Sequence, residues 1–294
     1  IDNGQREVFV QGRRRVAVWW GAGAIKTMGK LLAAFVFIVS LSLPPSITAA
    51  DVQWIDLSVE GGDSVRAAFG AVEGGRGPAV IFNHGTGVRQ FGHKGSVSNG
   101  NMDVTDYVKA LNALGYTAIA PVRSHLKDSA YYERGGTVGS TADWIAVVEN
   151  GMQVAKAARS FLAANANVDP ARIAIMGFSE GGNVTLWSAV RQQGYRAVVL
   201  LAPATLQSAK KYALKEAATQ GNLSSFDAPV FLGVGKNDHA SIRKVVQRRL
   251  VPNLKKTRKV FIHRLNYPGG HDWFYKPRND LLNDVGAFLS DHLR

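Results

Sequence analysis

The chain has 294 residues, 46% of them apolar and 19% charged, which is enough to bury a core and unlike a disordered composition. It holds no cysteine, which excludes disulfides, thiolate metal sites, a cysteine nucleophile and a lipid-modified cysteine. Lys and Arg total 35 against 22 acids, a formal charge of +13 that directs attention to anionic partners.

Residues 1–50 read as an N-terminal extension and targeting segment, distinct from one domain at 51–294. The run LLAAFVFIVSLSL at 31–43 is apolar or small throughout. It is shorter than the roughly 20 residues that span a bilayer and suits the apolar region of a secretory signal. Lys26 and Lys30 put positive charge ahead of it, Pro44-Pro45 end its helix, and Thr48-Ala49-Ala50 offers small residues for cleavage before Asp51. The alternatives are a short buried helix or a membrane anchor. Met28 stands just before the segment and is the expected start, with 1–27 as upstream sequence. A twin-arginine signal at Arg13-Arg14-Arg15 fits less well, because the apolar run begins too far downstream. The expectation is an exported protein, periplasmic or secreted. Without residues 1–50 the chain keeps 29 bases and 20 acids, so it stays basic.

From Asp51 onward strands and helices alternate. Strands are expected at 52–59, 65–72, 79–83, 116–120, 172–176, 197–201, 229–234 and 259–265, the central ones apolar almost throughout, as in parallel strands covered on both faces. Helices are expected at 101–114, 143–164, 180–193, 205–219, 240–250 and 279–292. The pair at 52–72, turning at Gly61-Gly62-Asp63, reads as an antiparallel hairpin at the sheet edge, and Asp169-Pro170 as a turn. This alternation predicts a single α/β domain with a mostly parallel sheet and helices on both faces. Only 27 residues, 202–228, separate two of the late strands, too few for a large cap domain.

One constellation carries chemistry. Gly177-Phe178-Ser179-Glu180-Gly181-Gly182 joins the strand RIAIM to a helix, and such a turn needs small residues on both sides of its serine. It lifts the hydroxyl above the sheet and aims helix N-terminal amides at it. A nucleophilic serine needs a base, and the base an orienting acid. Asp238 follows the strand PVFLGV, and His271 lies in a Gly-rich loop after the next strand, so the chain order Ser179, Asp238, His271 suits a catalytic triad on this architecture. The bland readings are a helix cap for Asp238 and a loop histidine for His271. His239, His263 and His292 fit the base role less well, and Asp272 adjoins His271 too closely to orient it. The oxyanion donors are expected to be the backbone N–H of Glu180 and that of Thr86, with Gly85 as the alternative to Thr86, in the loop Asn83-His84-Gly85-Thr86-Gly87.

With NHGTG at 83–87, GFSEGG at 177–182, the Asp238 loop and GGHDWF at 269–274, the stretch 52–294 resembles the α/β-hydrolases, and most the dienelactone hydrolase-related group. The resemblance implies an α/β-hydrolase fold with an eight-stranded sheet, a Ser-His-Asp triad and no cofactor or metal. The name-giving dienelactone hydrolases use a cysteine nucleophile. Position 179 is serine, which moves the expected substrate to carboxylic esters in general.

Tyr131, Tyr132 and Trp144, in and beside the polar, aromatic loop 123–144, are candidates to line the substrate pocket, the alternative being that they pack the loop down. Glu180 has two readings, tuning charge beside the nucleophile or standing as a solvated or salt-bridged residue. Basic residues gather between 243 and 259, with no acid from 239 to 271, which reads as a solvated face or a contact with an anionic envelope surface. Nucleic acid is not an expected partner, since no reading module is present. The sequence thus predicts an exported serine hydrolase of small to medium carboxylic esters. A peptidase or acyltransferase of the same fold, or a non-catalytic binding protein, is the alternative.

Overall fold

A computed structural model describes residues 51–61, 64–123, 141–192, 194–206, 210–225, 227–257 and 259–293. The targeting segment and the pocket candidates Tyr131 and Tyr132 lie outside these residues. Eight strands form one sheet: β1 (Gln53–Ser58), β2 (Ser64–Gly70), β3 (Gly77–Asn83), β4 (Thr117–Pro121), β5 (Val168–Phe178), β6 (Ala197–Leu201), β7 (Val230–Gly235) and β8 (Phe261–Tyr267). Their order is β1-β2-β4-β3-β5-β6-β7-β8. The pairs β1–β2 and β2–β4 are antiparallel and the rest parallel, so the early hairpin is an edge appendage to a parallel sheet, as expected.

The described helices are α1 (Thr86–Ser98), α2 (Val104–Ala113), α3 (Thr141–Ala164), α4 (Glu180–Gln192), α5 (Leu214–Ala217), α6 (Gln220–Leu223), α7 (Ala240–Val245), α8 (Val251–Lys256) and α9 (Asn279–Leu293). Period-two alternation sorts the central strands between two cores. Ile173 and Ile175 join Ile81, Val198 and Leu200 in the core packed with α3 and α4. Ala174 and Met176 join Phe82, Val199 and Leu201 in the core packed with α2 and α9. The spacing Val104, Tyr107, Val108, Leu111 buries one stripe of α2, and Asp103 caps it by accepting from the Thr105 amide at 2.8 Å.

Four local expectations differ from the structure. Helix α1 was not foreseen: it carries no apolar stripe, is broken at Gly92 with φ 66°, and buries Arg89 and Ser96 as well as Val88. The single helix expected at 205–219 is instead a 3-10 turn at Lys210–Tyr212 followed by α5 and α6. The Tyr212 carbonyl there accepts from Asn183 Nδ2 at 2.9 Å and Trp187 Nε1 at 2.8 Å, and Thr219 caps a fresh start at α6. Strand β5 begins at Val168 and runs through Asp169-Pro170, which lies in a register irregularity against β3 rather than in a turn ahead of the strand. Beyond α7 a π turn (Val246–Leu250) leads into α8, so the helical stretch expected at 240–250 continues to Lys256.

The register brings the carboxyl ends of the parallel strands level. Asn83 pairs with Gly177, Phe178 with Leu201, and Gly235 with Tyr267. Ligands of open α/β sheets bind at this edge.

Candidate active site

Each functional side chain sits just past the end of a strand. At the end of β5 the chain turns sharply into α4, with Ser179 at the corner and a backbone φ of 57°. That conformation is costly for a residue with a Cβ, of order 1–3 kcal/mol. Its hydrogen bonds hold it in place: the Ser179 amide donates to the Leu201 carbonyl at 2.9 Å, and its carbonyl accepts from the amides of Gly182 (3.0 Å), Asn183 (3.2 Å) and Ala204 (2.8 Å). The flanking glycines are steric necessities. A Cβ at Gly177 would lie 2.2 Å from the Gly181 carbonyl oxygen, and one at Gly181 would lie 2.2 Å from that of Asn83.

Three side chains then line up. The Ser179 hydroxyl donates to His271 Nε2 at 2.8 Å, and His271 Nδ1–H donates to Asp238 Oδ1 at 2.9 Å. An ionised carboxylate only accepts, so Asp238 fixes the proton on Nδ1 and leaves Nε2 as the acceptor. Asp238 Oδ1 also takes the His239 amide at 2.7 Å. The carboxyl is fully buried while the imidazole and the serine reach the surface of a cleft. His271 opens a 3-10 turn (His271–Tyr275), and its ring packs 4.7 Å from that of Phe178 and 4.9 Å from that of His239.

The cleft encloses about 550 Å³. Ser179 and His271 lie on its surface, Gly85 and Thr86 come from the end of β3, and Trp144, foreseen as a pocket residue, lines it too. Residues not singled out by the sequence add to the lining: Met102, Leu206, Ile242 and Tyr275 bring apolar surface, Asn101 and Ser241 polar groups. Their signal lies only in how the fold gathers them.

Beneath the cleft lies a buried polar cluster. Glu180 is fully buried, and its Oε1 accepts from Arg89 Nε at 2.7 Å and from Arg123 Nη1 at 3.5 Å. Its Oε2 accepts from the Thr86 hydroxyl at 3.1 Å. Of the two readings of Glu180 from sequence, the salt-bridged one holds. Arg123 also donates through Nη2 to the His84 carbonyl, and its amide donates to His84 Nε2 at 2.9 Å. With Nε2 accepting, His84 carries its proton on Nδ1 and donates to the Gly85 carbonyl at 2.8 Å. Burial, reinforced by the Arg123 charge, pushes the His84 imidazole well below its ordinary value, so this ring is neutral. Burial, opposed by Glu180, pulls the Arg123 guanidinium down to about 10, which still leaves it charged at neutral pH.

The arrangement pairs a hydroxyl with a base and its orienting acid, at the mouth of a cleft and beside two helix N-termini, as acyl transfer requires. The sequence profile of the Dienelactone hydrolase family matches residues 80–284, more than half of the chain. The chain belongs to the dienelactone hydrolase family. Among solved structures, this dienelactone hydrolase family member is similar to a phosphotriesterase from metagenomic libraries that is described as dienelactone hydrolase-like and promiscuous, with TM-score 0.61, 16% identity, and coverage of 84% of this chain and 99% of that one. It is similar to a Klebsiella pneumoniae protein described as a dienelactone hydrolase, with TM-score 0.57, 19% identity, and coverage of 83% and 99%. A thermophilic carboxylesterase cloned from a metagenomic library is similar at TM-score 0.58, 16% identity, and coverage of 84% and 91%. At these identities the likeness carries the α/β-hydrolase fold, and the family rests on the sequence match. A comparison with curated proteins finds no match. Membership makes the chain a hydrolase, and the residue at its elbow is serine.

Proposed function

We propose that the protein is an exported serine esterase that cleaves carboxylic esters of small to medium size through an acyl-enzyme. The observation that carries this reading is the hydrogen-bonded row Ser179–His271–Asp238, ending at the cleft. His271 Nε2 takes the proton as Ser179 Oγ bonds to the ester carbonyl carbon, whose oxygen becomes an oxyanion. Asp238 stabilises the imidazolium. The imidazolium returns the proton to the departing alkoxide, the C–O bond breaks, and the acyl group stays on Ser179. A water then repeats the sequence, delivering its proton to His271 and releasing the acid.

The oxyanion needs two amide donors. Glu180 and Thr86 are the first residues of α4 and α1 and Gly85 is the N-cap of α1, positions whose backbone N–H groups have no partner within the helix; Thr86 is taken as the second donor, with Gly85 as its alternative. Export is read from the apolar run at 31–43 and its flanks. An anionic envelope surface is a partner in keeping with the exposed bases Arg243, Lys244, Arg248, Arg249, Lys255 and Lys256, whereas Lys259 pairs with Asp227.

A fluorophosphonate probe tests the chemistry. It should label Ser179 in the purified protein. Ser179→Ala should lose the label and about 10³-fold or more of ester hydrolysis while keeping its melting temperature. Labelling that survives Ser179→Ala would overturn the reading.

A further inference from the structure

The two residues expected to supply the oxyanion amides are joined to each other by their side chains. Thr86 opens α1 and Glu180 opens α4, 94 residues apart in sequence, and the Thr86 hydroxyl donates to Glu180 Oε2 at 3.1 Å. The other oxygen of that carboxylate is held by Arg89, three residues beyond Thr86 on α1, at 2.7 Å. Arg123, at the end of β4, reaches the same oxygen and also holds the loop before Thr86 through the His84 carbonyl and ring. The elbow and the β3 loop are therefore tied to one anion that is closed off from water. We propose that the Glu180 carboxylate is a positioning residue for the oxyanion site, holding the Glu180 and Thr86 amides at the separation a tetrahedral intermediate requires, with Arg89 and Arg123 as its anchors.

The physical case rests on location. A buried carboxylate needs charged partners wherever it stands, so its burial alone explains nothing about the reaction. This carboxylate, however, takes its hydrogen bond from the other oxyanion residue and leaves the chain one residue after the nucleophile. Donors stabilise an oxyanion only when aimed at about 2.7–3.1 Å, and misplacement by a fraction of that distance forfeits rate. A link made through side chains leaves both backbone amides free to face the cleft. The inference rests on the serine-esterase reading of the same site.

The decisive variants are Thr86→Val, which removes the hydroxyl but keeps shape and amide, and Glu180→Gln, which keeps shape and amide but removes the charge. For Thr86→Val the expected result is a protein still labelled at Ser179, with kcat lowered on the order of 10-fold and KM within about twofold. A boronic acid that forms a tetrahedral adduct with Ser179 should bind Thr86→Val more weakly by the same factor, and Thr86→Ser should restore both. Glu180→Gln should show the same split, and if it does not fold, the Thr86 series decides alone. Unchanged kcat in Thr86→Val with Ser179 labelled overturns this inference and leaves the esterase reading standing. So does a fall in kcat without a matching loss of boronate affinity, because that pattern marks a merely structural residue. Failure of the wild-type protein to label at Ser179 overturns both.

Discussion

Replacing Gly181 by alanine tests the elbow without touching a reacting atom. The added Cβ would stand 2.2 Å from the Asn83 carbonyl oxygen and 2.4 Å from that of His84, whereas ordinary contact begins near 3.4 Å. Both obstacles are backbone atoms at the end of β3, so no side chain can swing aside. The start of α4 and the β3 loop must part by about 1 Å. Overpacking costs about 1–3 kcal/mol, and with two backbone obstacles the upper figure applies, which lowers Tm by about 6–12 °C in a domain of this size. The same displacement separates Ser179 from the Gly85–Thr86 arm, and misplacement of about 1 Å costs on the order of 10²-fold in kcat. Thermal melting by circular dichroism and turnover of a short-chain p-nitrophenyl ester measure the two effects. Gly221→Ala is the control: its Cβ meets nothing within 4 Å, it sits in α6, and it should stabilise by about 0.4–1 kcal/mol with kcat unchanged. If Gly181→Ala melts and turns over like wild type, the argument that close backbone approach builds this site is wrong.

Acid should destabilise the fold through His84. Its native value lies below its unfolded one, so beneath about pH 6.5 the unfolded chain binds a proton that the native ring refuses, and stability falls by up to about 1.4 kcal/mol per pH unit. Urea midpoints at pH 7.5, 6.5 and 5.5 should drop for wild type and flatten in His84→Asn; parallel curves would contradict this. The segment between β6 and β7 is too short to form a cap domain over a long chain, and each unburied methylene forgoes about 0.8 kcal/mol, so short acyl esters should be preferred with no rate jump at a lipid–water interface. Preference for long chains with interfacial activation would refute it. Protein recovered from the native host's periplasm or medium should begin near Asp51, and intact residues 1–27 on it would remove the export reading.

What could be read from the sequence follows from how each element is stabilised. The central parallel strands are buried on both faces, so Ala79–Phe82, Ile173–Met176, Ala197–Leu201 and Val230–Val234 appear as apolar runs. The elbow could be read because its constraint is steric and local: glycine at 177 and 181 is demanded by backbone oxygens 2.2 Å from where a Cβ would stand. The order of Ser179, Asp238 and His271 then placed three side chains past the ends of three different strands, and they meet at hydrogen-bonding distance.

Helix α1 and the charged cluster beneath the cleft could not be read in the same way. Periodicity reports apolar burial, and α1 turns a buried arginine inward toward a carboxylate 91 residues away in sequence. Thr86 and Arg123 lie 94 and 57 residues from Glu180, so neither neighbouring residues nor spacing marks the four as one cluster. Charged residues are almost never fully buried unless paired, and the partners that bury Glu180, Arg89 and Arg123 together are distant in sequence. The groups that touch the reacting atoms carry constraints on chemical type and on the local turn, which a linear pattern records. The groups that hold them in register are constrained by distances across the fold. The residues read as a triad from sequence therefore extend to the reaction class, while the contacts that tie Thr86, Arg89 and Arg123 to Glu180 are made only in the folded chain.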